Sequence, residues 1–470
     1  MDKPSSLAAI SAALLVASFA TGALAMSPAS PATSISAVAV GSAPTALVFD
    51  PGNRYVYVAN SNSSTVSVIN GTTVVGTVPV GSDPSALAYD PSNGYIYVSN
   101  TNSSTVSVLS GTNVVGTVKV GAGPTSLVYD SSDSYVYVSD TDVKGGGRLV
   151  DNVTVISGLA VVANVAVGYL PSSLAFDPDN GYVYVAVGGS GSVVEISGTT
   201  IAGTTTGLAG PRALCFDPST GAVYVANFGS GTLSEIIGTR LSANITVGVD
   251  PTALAYDAAN GYVYAANFDS SSVSVVSGTA VAASVTLGLF PSALIFGASD
   301  GEVYVADANP AASTGTVWEI SGTALTGNLT AGPEPKPLGP QHMVYDPSNG
   351  DVYVANTFSG SVLAIQTGPP TTSTTTSSSS KSTTSTSSST RSITSTGPTS
   401  TSTPPASSST TTSTSSRTTP PITSSVATST LPTGPTQPNW TLVLAVGLIG
   451  VAGVLLVLGM VARKKTAKST

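Results

Sequence analysis

The sequence predicts an all-β domain built from eight repeated, four-stranded units. The first observation is a phrase, Pro-x-x-Leu-x-aromatic-Asp, that recurs with small departures from Pro44, Pro84, Pro124, Pro171, Pro211, Pro251, Pro291 and Pro340. The second is its spacing, because five of the seven intervals are 40 residues long and the others are 47 and 49. The third is that each repeat holds four short runs rich in Val, Tyr and Thr, separated by turn residues. Repeats of this kind are typical of the blades of a β-propeller.

The second repeat illustrates the four predicted strands. They cover residues 86–89, 95–98, 105–109 and 114–118, and Asp90-Pro-Ser-Asn-Gly94 forms the turn between the first two. Pro and Gly supply the backbone angles that such a turn requires. Several strands are apolar on both faces, as in Tyr-Val-Tyr-Val at 55–58. A strand of this kind needs a sheet on each side, which radial stacking of blades provides.

The two ends of the repeat region predict how the ring closes. The last repeat supplies only three strands, over 341–345, 351–355 and 361–365, whereas residues 34–40 align with the fourth strand of the first repeat. We therefore expect the first strand of the mature chain to complete the last blade, which removes exposed sheet edges. The prediction is an eight-bladed propeller over residues 34–367, with seven blades and one degenerate copy as the alternative.

The beginning of the chain predicts secretion. Residues 1–25 combine Lys3, an apolar stretch over 7–20 and Ala-Leu-Ala at 23–25, as in a cleaved signal peptide. An uncleaved anchor is the alternative.

The end of the chain predicts a membrane anchor on a stalk. Residues 440–462 carry no charge and would form about 34 Å of helix, enough to cross a membrane. The basic tail 463–470 places the C-terminus in the cytoplasm and the propeller outside the cell. Residues 368–438 are almost entirely Ser, Thr and Pro, so we expect a disordered, O-glycosylated stalk, or an unmodified linker.

Composition excludes several classes of function. The 470-residue chain has one Cys and one His, which excludes an intramolecular disulfide and a Cys/His zinc site. Residues 34–367 contain 7 Lys and Arg against 23 Asp and Glu, a net charge of −16. An acidic body without clustered basic residues argues against binding to nucleic acid.

A short motif carries a resemblance to a known family. Tyr-Val-Ala-Asn occurs at 57–60, 224–227 and 353–356, and Tyr-Val-Ser-Asn at 97–100; Val-Gly-x-x-Pro precedes several repeats. These residues resemble the YVTN-type β-propeller repeat, whose family includes archaeal surface-layer-like proteins. The resemblance covers roughly residues 34–367 and implies the fold and a cell-surface setting, but no single activity. The fourth repeat departs from it, with Val187 in place of Asn.

The repeated polar residues are predicted to be architectural, and the unique ones to be functional. An Asn or Asp ends the second strand in seven repeats, and we interpret it as a turn residue. Three insertions, around 141–152, 309–315 and 333–340, are predicted to open on one face of the propeller and to form a recognition surface. Neutral loop growth is the alternative. The candidate recognition residues are Asp140, Asp142, Lys144, Arg148, Asp151, Arg212, Lys336 and His342.

No catalytic or metal-binding residues are assigned from the sequence, and no cofactor is expected, with Ca²⁺ as a possible exception. Asp140, Asp142, Asp151 and Asn152 offer oxygen ligands of the kind that Ca²⁺ prefers, but their spacing matches no EF-hand loop. At the predicted channel mouth, the residues that follow each repeat's Pro are uncharged apart from Arg212.

Seven Asn-x-Ser/Thr sequences are candidate sites of N-glycosylation. They begin at Asn62, Asn70, Asn102, Asn152, Asn244, Asn328 and Asn439.

The sequence thus favours a non-enzymatic, single-pass cell-surface protein that binds envelope proteins or glycans. The alternative is a surface metal-dependent hydrolase or lactonase with its site in the central channel. A third hypothesis is a purely structural component of the envelope.

Overall fold

The computed structural model describes residues 34–141, 151–288, 290–308, 316–330 and 339–367, and these form an eight-bladed β-propeller. Each blade is a four-stranded antiparallel sheet of strands in chain order, apart from the last. The prediction of eight blades is confirmed. No helix of the described residues is long and apolar enough to cross a membrane. The predicted signal, stalk, membrane helix and tail lie outside the described residues.

The first four blades contain sixteen strands. Blade 1 comprises β2 (Pro44–Asp50), β3 (Tyr55–Asn60), β4 (Thr65–Asn70) and β5 (Thr73–Pro79). Blade 2 comprises β6 (Pro84–Asp90), β7 (Tyr95–Asn100), β8 (Thr105–Ser110) and β9 (Asn113–Lys119). Blade 3 comprises β10 (Pro124–Asp130), β11 (Tyr135–Asp140), β12 (Asp151–Ser157) and β13 (Ala160–Gly168). Blade 4 comprises β14 (Pro171–Asp177), β15 (Tyr182–Val187), β16 (Ser192–Ser197) and β17 (Thr200–Thr206).

The other four blades follow the same plan. Blade 5 comprises β18 (Pro211–Asp217), β19 (Ala222–Asn227), β20 (Thr232–Ile237) and β21 (Arg240–Thr246). Blade 6 comprises β22 (Pro251–Asp257), β23 (Tyr262–Asn267), β24 (Ser272–Ser277) and β25 (Ala280–Thr286). Blade 7 comprises β26 (Pro291–Gly297), β27 (Glu302–Asp307), β28 (Thr316–Ser321) and β29 (Ala324–Thr330). Blade 8 comprises β30 (Pro340–Tyr345), β31 (Val352–Asn356), β32 (Ser361–Gln366) and β1 (Ser34–Ala39).

The ring closes through the first strand of the propeller. Strand β1 pairs antiparallel with β32, from Ser34 opposite Gln366 to Ala39 opposite Ser361. The predicted closure is therefore confirmed. Val38 of β1 is buried in a cluster that includes Leu47 of blade 1, so the closing strand also joins blade 8 to blade 1. Strand β1 thus covers the edge of β32 that a three-stranded blade would leave unpaired.

The blades are held together by apolar clusters between neighbouring sheets. Tyr57 and Val68 of blade 1 pack with Ile96 and Val98 of blade 2, and equivalent clusters join the other blades. A tyrosine in the second strand of every blade is almost fully buried. Five of these tyrosines donate hydrogen bonds of 2.7–3.0 Å to a glycine carbonyl in the next blade, from Tyr97, Tyr137, Tyr184, Tyr224 and Tyr264. The tyrosine ring fills the interface, and its hydroxyl fixes the register between blades.

The Asn that ends the second strand is architectural, but for a different reason from the one predicted. Asn60 is buried, and its Nδ2 donates to Thr65 Oγ1 at 3.2 Å and to Ser67 Oγ at 3.0 Å. A Cβ atom added at Gly41 would lie 2.8 Å from Asn60 Cβ. The Asn therefore ties two strands and packs against the glycine of the Val-Gly motif, which explains why the two recur together. It is not a turn residue.

Candidate binding face

Two kinds of connection open on the same face of the propeller, which we call the binding face. One is the loop between the second and third strands of each blade, and the other is the connection from each blade to the next. In all eight blades, the first residue after the second strand donates a backbone hydrogen bond of 2.8–3.1 Å to the residue before the blade's proline, as Ser61 does to Ala43. The accepting residue has a positive φ of 54–65° in every blade. Five of these eight residues are not glycine, so residue type alone does not predict this turn.

All three predicted insertions begin or end on the binding face. Residues 142–150, 309–315 and 331–338 lie outside the described residues, and so do Asp142, Lys144, Arg148 and Lys336. The described residues that flank them stand at the ends of β11, β12, β27 and β30. The recognition role of the insertions stays a prediction.

Asp140 and Asp151 stand at the two ends of the first insertion, and both are buried. Thr154 Oγ1 donates to Asp140 Oδ2 at 2.5 Å, and the Leu170 amide donates to Asp151 Oδ2 at 3.0 Å. Burial raises the pKa of Asp140 to about 7, although the Thr154 hydrogen bond opposes the shift. Within the described part of the chain, no three His, Cys, Asp or Glu side chains are grouped so as to hold a metal ion. Protein donors thus engage these two carboxylates, and the Ca²⁺ site stays a prediction.

A ring of short side chains joins the innermost strands at the channel mouth. Thr45 Oγ1 donates to the Pro84 carbonyl at 3.1 Å, and Ser85 Oγ donates to the Pro124 carbonyl at 3.2 Å. Thr101 and Thr141, which follow the second strands of blades 2 and 3, add bonds of 2.8 and 2.7 Å to the proline carbonyl of the next blade. These hydroxyls replace the ladder hydrogen bonds that innermost strands of adjacent blades do not make.

A cavity of about 240 Å³ lies in the central channel, between the innermost strands of blades 8 and 1–4. His342 lines it and is exposed to the channel. The Leu47 amide donates to His342 Nδ1 at 3.3 Å across the junction of blades 8 and 1. Loss of hydration in the narrow channel lowers the pKa of His342, and the hydrogen bond favours the same neutral form. The imidazole therefore presents an N–H group at Nε2.

The binding face of blades 5–7 differs from the hydroxyl-rich remainder. Its distinctive side chains, which we call the aromatic arc, are Arg212, Phe228, Asp250, Phe268, Asp269 and Phe290. The Arg212 guanidinium carbon lies 5.0 Å from the centre of the Phe228 ring, within range of a cation–π interaction. The Phe268 and Phe290 ring centres lie 4.8 Å apart at 31°. Burial and the nearby Asp269 carboxyl raise the pKa of Asp250, and Arg212 lowers it.

Of the aromatic arc, only Arg212 was predicted from the sequence. The five others were missed because they occupy three repeat positions in blades 5–7, and only the stacking of neighbouring blades brings them side by side. A signal exists in the repeats: Phe228 and Phe268 stand where Thr101 and Thr141 stand in blades 2 and 3. The buried Glu195, Glu235 and Glu319 were missed in the same way, since they align with Val68 of blade 1.

The candidate glycosylation sites differ in exposure. The exposed ones in the described residues are Asn62, Asn70, Asn102, Asn244 and Asn328. Asn152 is half-buried, and Asn439 lies outside the described residues. Asn244 and Asn328 lie in β21 and β29, the outermost strands of blades 5 and 7, as expected. Glycans there would cover sheet edges.

Comparison with known proteins shows the fold alone. No protein-family model and no curated protein matches the chain. Among solved structures, the C-terminal WD40 domain of Sif2 is similar with a TM-score of 0.57 and 13% identity, covering 70% of this chain and 98% of that one. Sqt1 of Saccharomyces cerevisiae has the same TM-score and identity, with coverages of 70% and 96%. Dihydro-heme d1 dehydrogenase NirN has a TM-score of 0.50 at 14% identity, covering 62% of this chain and 66% of that one. The chain is thus a β-propeller whose structural neighbours include both WD40 proteins and an enzyme.

Proposed function

We propose that this chain is a non-enzymatic, cell-surface β-propeller that binds envelope proteins or glycans through its binding face. The secretory signal, the Ser/Thr-rich stalk and the apolar segment 440–462 support an extracellular propeller on a single-pass anchor. The resemblance to YVTN-type repeats agrees with this setting. Strand β32 ends and β1 begins on the side opposite the binding face.

The aromatic arc is the observation that carries the proposal. Blades 2 and 3 carry threonines that bond to the next blade, whereas blades 5 and 6 carry Phe228 and Phe268 at those positions. Phenylalanine cannot donate the hydrogen bond that these threonines make, and both rings remain only half-buried. An aromatic ring stands at this position only in blades 5 and 6, and departures from a repeated pattern are expected at functional sites. Half-exposed aromatic rings beside Arg are also typical of binding surfaces.

The geometry of the channel supports a binding role over the hydrolase or lactonase alternative. The only histidine of the chain accepts a hydrogen bond at Nδ1, so its neutral ring donates into the channel and has no spare lone pair for proton abstraction. The eight side chains that follow the blade prolines include no carboxylate to accompany it.

The test compares binding by the full chain and by variants with changes at two sites. Immobilised protein is probed with purified envelope proteins and with envelope polysaccharides from the same cells. We expect Phe228→Thr combined with Phe268→Thr to weaken binding about tenfold or more, since it removes both rings while restoring the hydroxyls of blades 2 and 3.

The control is Val75→Thr, which alters an exposed apolar residue on the outer strand of blade 1. We expect it to bind as wild type does. If all three proteins bind equally well, or if the control loses as much as the double variant, the aromatic arc is not the binding surface.

A further inference from the structure

Blade 6 changes two repeated positions of the binding face together. At the first, Phe268 stands where Thr101 of blade 2 donates to the Pro124 carbonyl at 2.8 Å. At the second, Asp269 stands where blade 2 has Asn102, whose Nδ2 donates to Asp83 Oδ2 at 3.1 Å. Asp250 is the blade 6 counterpart of Asp83. Two residues that donate hydrogen bonds in blade 2 are thus replaced, in blade 6, by an aromatic ring and a second carboxyl group.

The second carboxyl group creates an unbalanced negative charge. Asp250 and Asp269 lie close enough for Asp269 to disfavour ionisation of Asp250, and the only cation acting on Asp250 is Arg212, among the residues that the structure describes. An amide at position 269 would relieve this repulsion, as Asn102 does in blade 2. A cation bound between the two carboxylates would relieve it as well, and more strongly.

The neighbouring blade shows how a cation is accommodated on this face. Arg212 lies over the Phe228 ring at 5.0 Å and is close enough to Asp250 to affect its ionisation. In blade 6, Thr252 occupies the position equivalent to Arg212, beside Phe268. Blade 6 therefore keeps the aromatic ring of blade 5, but the chain supplies no arginine of its own at that position.

We infer that the arc of blade 6 binds a guanidinium or ammonium side chain of a basic segment on a partner protein. Asp250 and Asp269 would accept its hydrogen bonds, and the paired rings of Phe268 and Phe290 would contact its apolar stem. The net charge of −16 on residues 34–367 draws such a segment toward the propeller. This inference rests on the proposed binding function and names the chemistry of its ligand.

The test uses the full chain and two labelled octapeptides, one alternating Gly and Arg and one with citrulline in place of every Arg. Citrulline keeps the shape of arginine without its charge. By fluorescence anisotropy, we expect the Arg peptide to bind at least tenfold more tightly than the citrulline peptide. Asp269→Asn and Phe268→Thr should each weaken the Arg peptide about tenfold. Both substitutions install the residue of blade 2, so their thermal unfolding midpoints should not fall.

Asp83→Asn is the matched control, because it removes one acidic charge from the same face at blade 2. It should change affinity for the Arg peptide less than twofold. The inference is overturned if both peptides bind equally, or if Asp83→Asn weakens binding as much as Asp269→Asn does.

The same variants separate this inference from the proposed function. In one outcome, the Arg peptide does not bind, an envelope polysaccharide does, and Phe268→Thr abolishes binding of the polysaccharide. The binding face then binds neutral glycans, and only the inference about a basic segment fails. If neither probe responds to Phe228→Thr with Phe268→Thr, the proposed function fails as well.

Discussion

At the scale of single residues, the buried glutamates are the most costly departures from the repeat. Glu195 of blade 4 is fully buried at a position where blades 1–3 have valine. Thr205 Oγ1 donates to its Oε1 at 2.9 Å, but its Oε2 has no hydrogen-bond partner. Gly203 in the adjacent strand leaves room for the carboxyl group, because a Cβ there would lie 2.9 Å from Oε2. A buried carboxylate with one partner is destabilising unless it is protonated.

The stability of the propeller should therefore depend on pH through Glu195. Burial raises its pKa from 4.5 to about 7, so the folded state binds more protons than the unfolded state between these values. The contribution of Glu195 to stability is most favourable below pH 4.5, falls as pH rises to 7, and is then constant. Glu195→Gln should remove this pH dependence. The difference in the free energy of unfolding between the variant and wild type should therefore favour the variant by about 1–3 kcal/mol more at pH 8 than at pH 4.5. Thermal unfolding midpoints of both proteins at pH 4.5 and 8 test this.

Thr205→Val provides a second, independent readout of the same site. Because the Thr205 hydrogen bond lowers the pKa of Glu195, its removal should raise that pKa and move the pH-dependent loss of stability to higher pH. A difference between wild type and Glu195→Gln that is the same at both pH values would contradict the assignment.

At the scale of elements, the closing strand β1 was predictable and the arc was not, for physical reasons. Residues 34–40 repeat the pattern of a fourth strand, and a blade with three strands needs one, so register alone predicts the pairing. The arc instead combines Phe228, Asp250 and Phe268 from different blades. Contacts between blades depend on how the sheets twist and stack, which a local pattern does not encode. The same limit applies to the positive φ of Ala43 and Leu170, because neither residue type indicates it.

The closure should be the most sensitive element of the ring. Val38 of β1 is 4% exposed and packs between blades 8 and 1, whereas the adjacent Ala37 faces solvent. Val38→Asp buries an unpaired charge and should lower the free energy of unfolding by about 3 kcal/mol or more. Ala37→Asp introduces the same charge on the same strand and should have little effect. Denaturant unfolding and limited proteolysis of the N-terminal strand compare the two. Equal stability of the two variants would mean that β1 does not close the ring.

At the scale of the whole molecule, repetition makes the fold easy to predict from the sequence and the function hard to predict. Eight copies of one pattern average out local ambiguity, so the blade number followed from the spacing of the repeats and the closure from the match between residues 34–40 and a fourth strand. Function is expected where the repeats depart from the common pattern. A departure such as Asp269 in place of Asn102 can be interpreted only when the aspartate beside each of these residues is known. The structure supplied that neighbour, Asp250 in one case and Asp83 in the other.

The membrane anchor is the last prediction, and it concerns the whole chain. Residues 440–462 are 23 uncharged positions, which would be about 34 Å long as a helix, and Arg463, Lys464 and Lys465 follow them. A chain that ends at Pro438 should therefore be secreted into the medium. A matched chain that lacks only residues 463–470 keeps the apolar segment and should stay in the membrane fraction, since apolar length holds it there and the basic tail sets its orientation. Immunoblots of medium and membranes compare the two. If the chain ending at Pro438 stays with the membrane, the propeller is held at the surface by its own contacts rather than by the C-terminal segment.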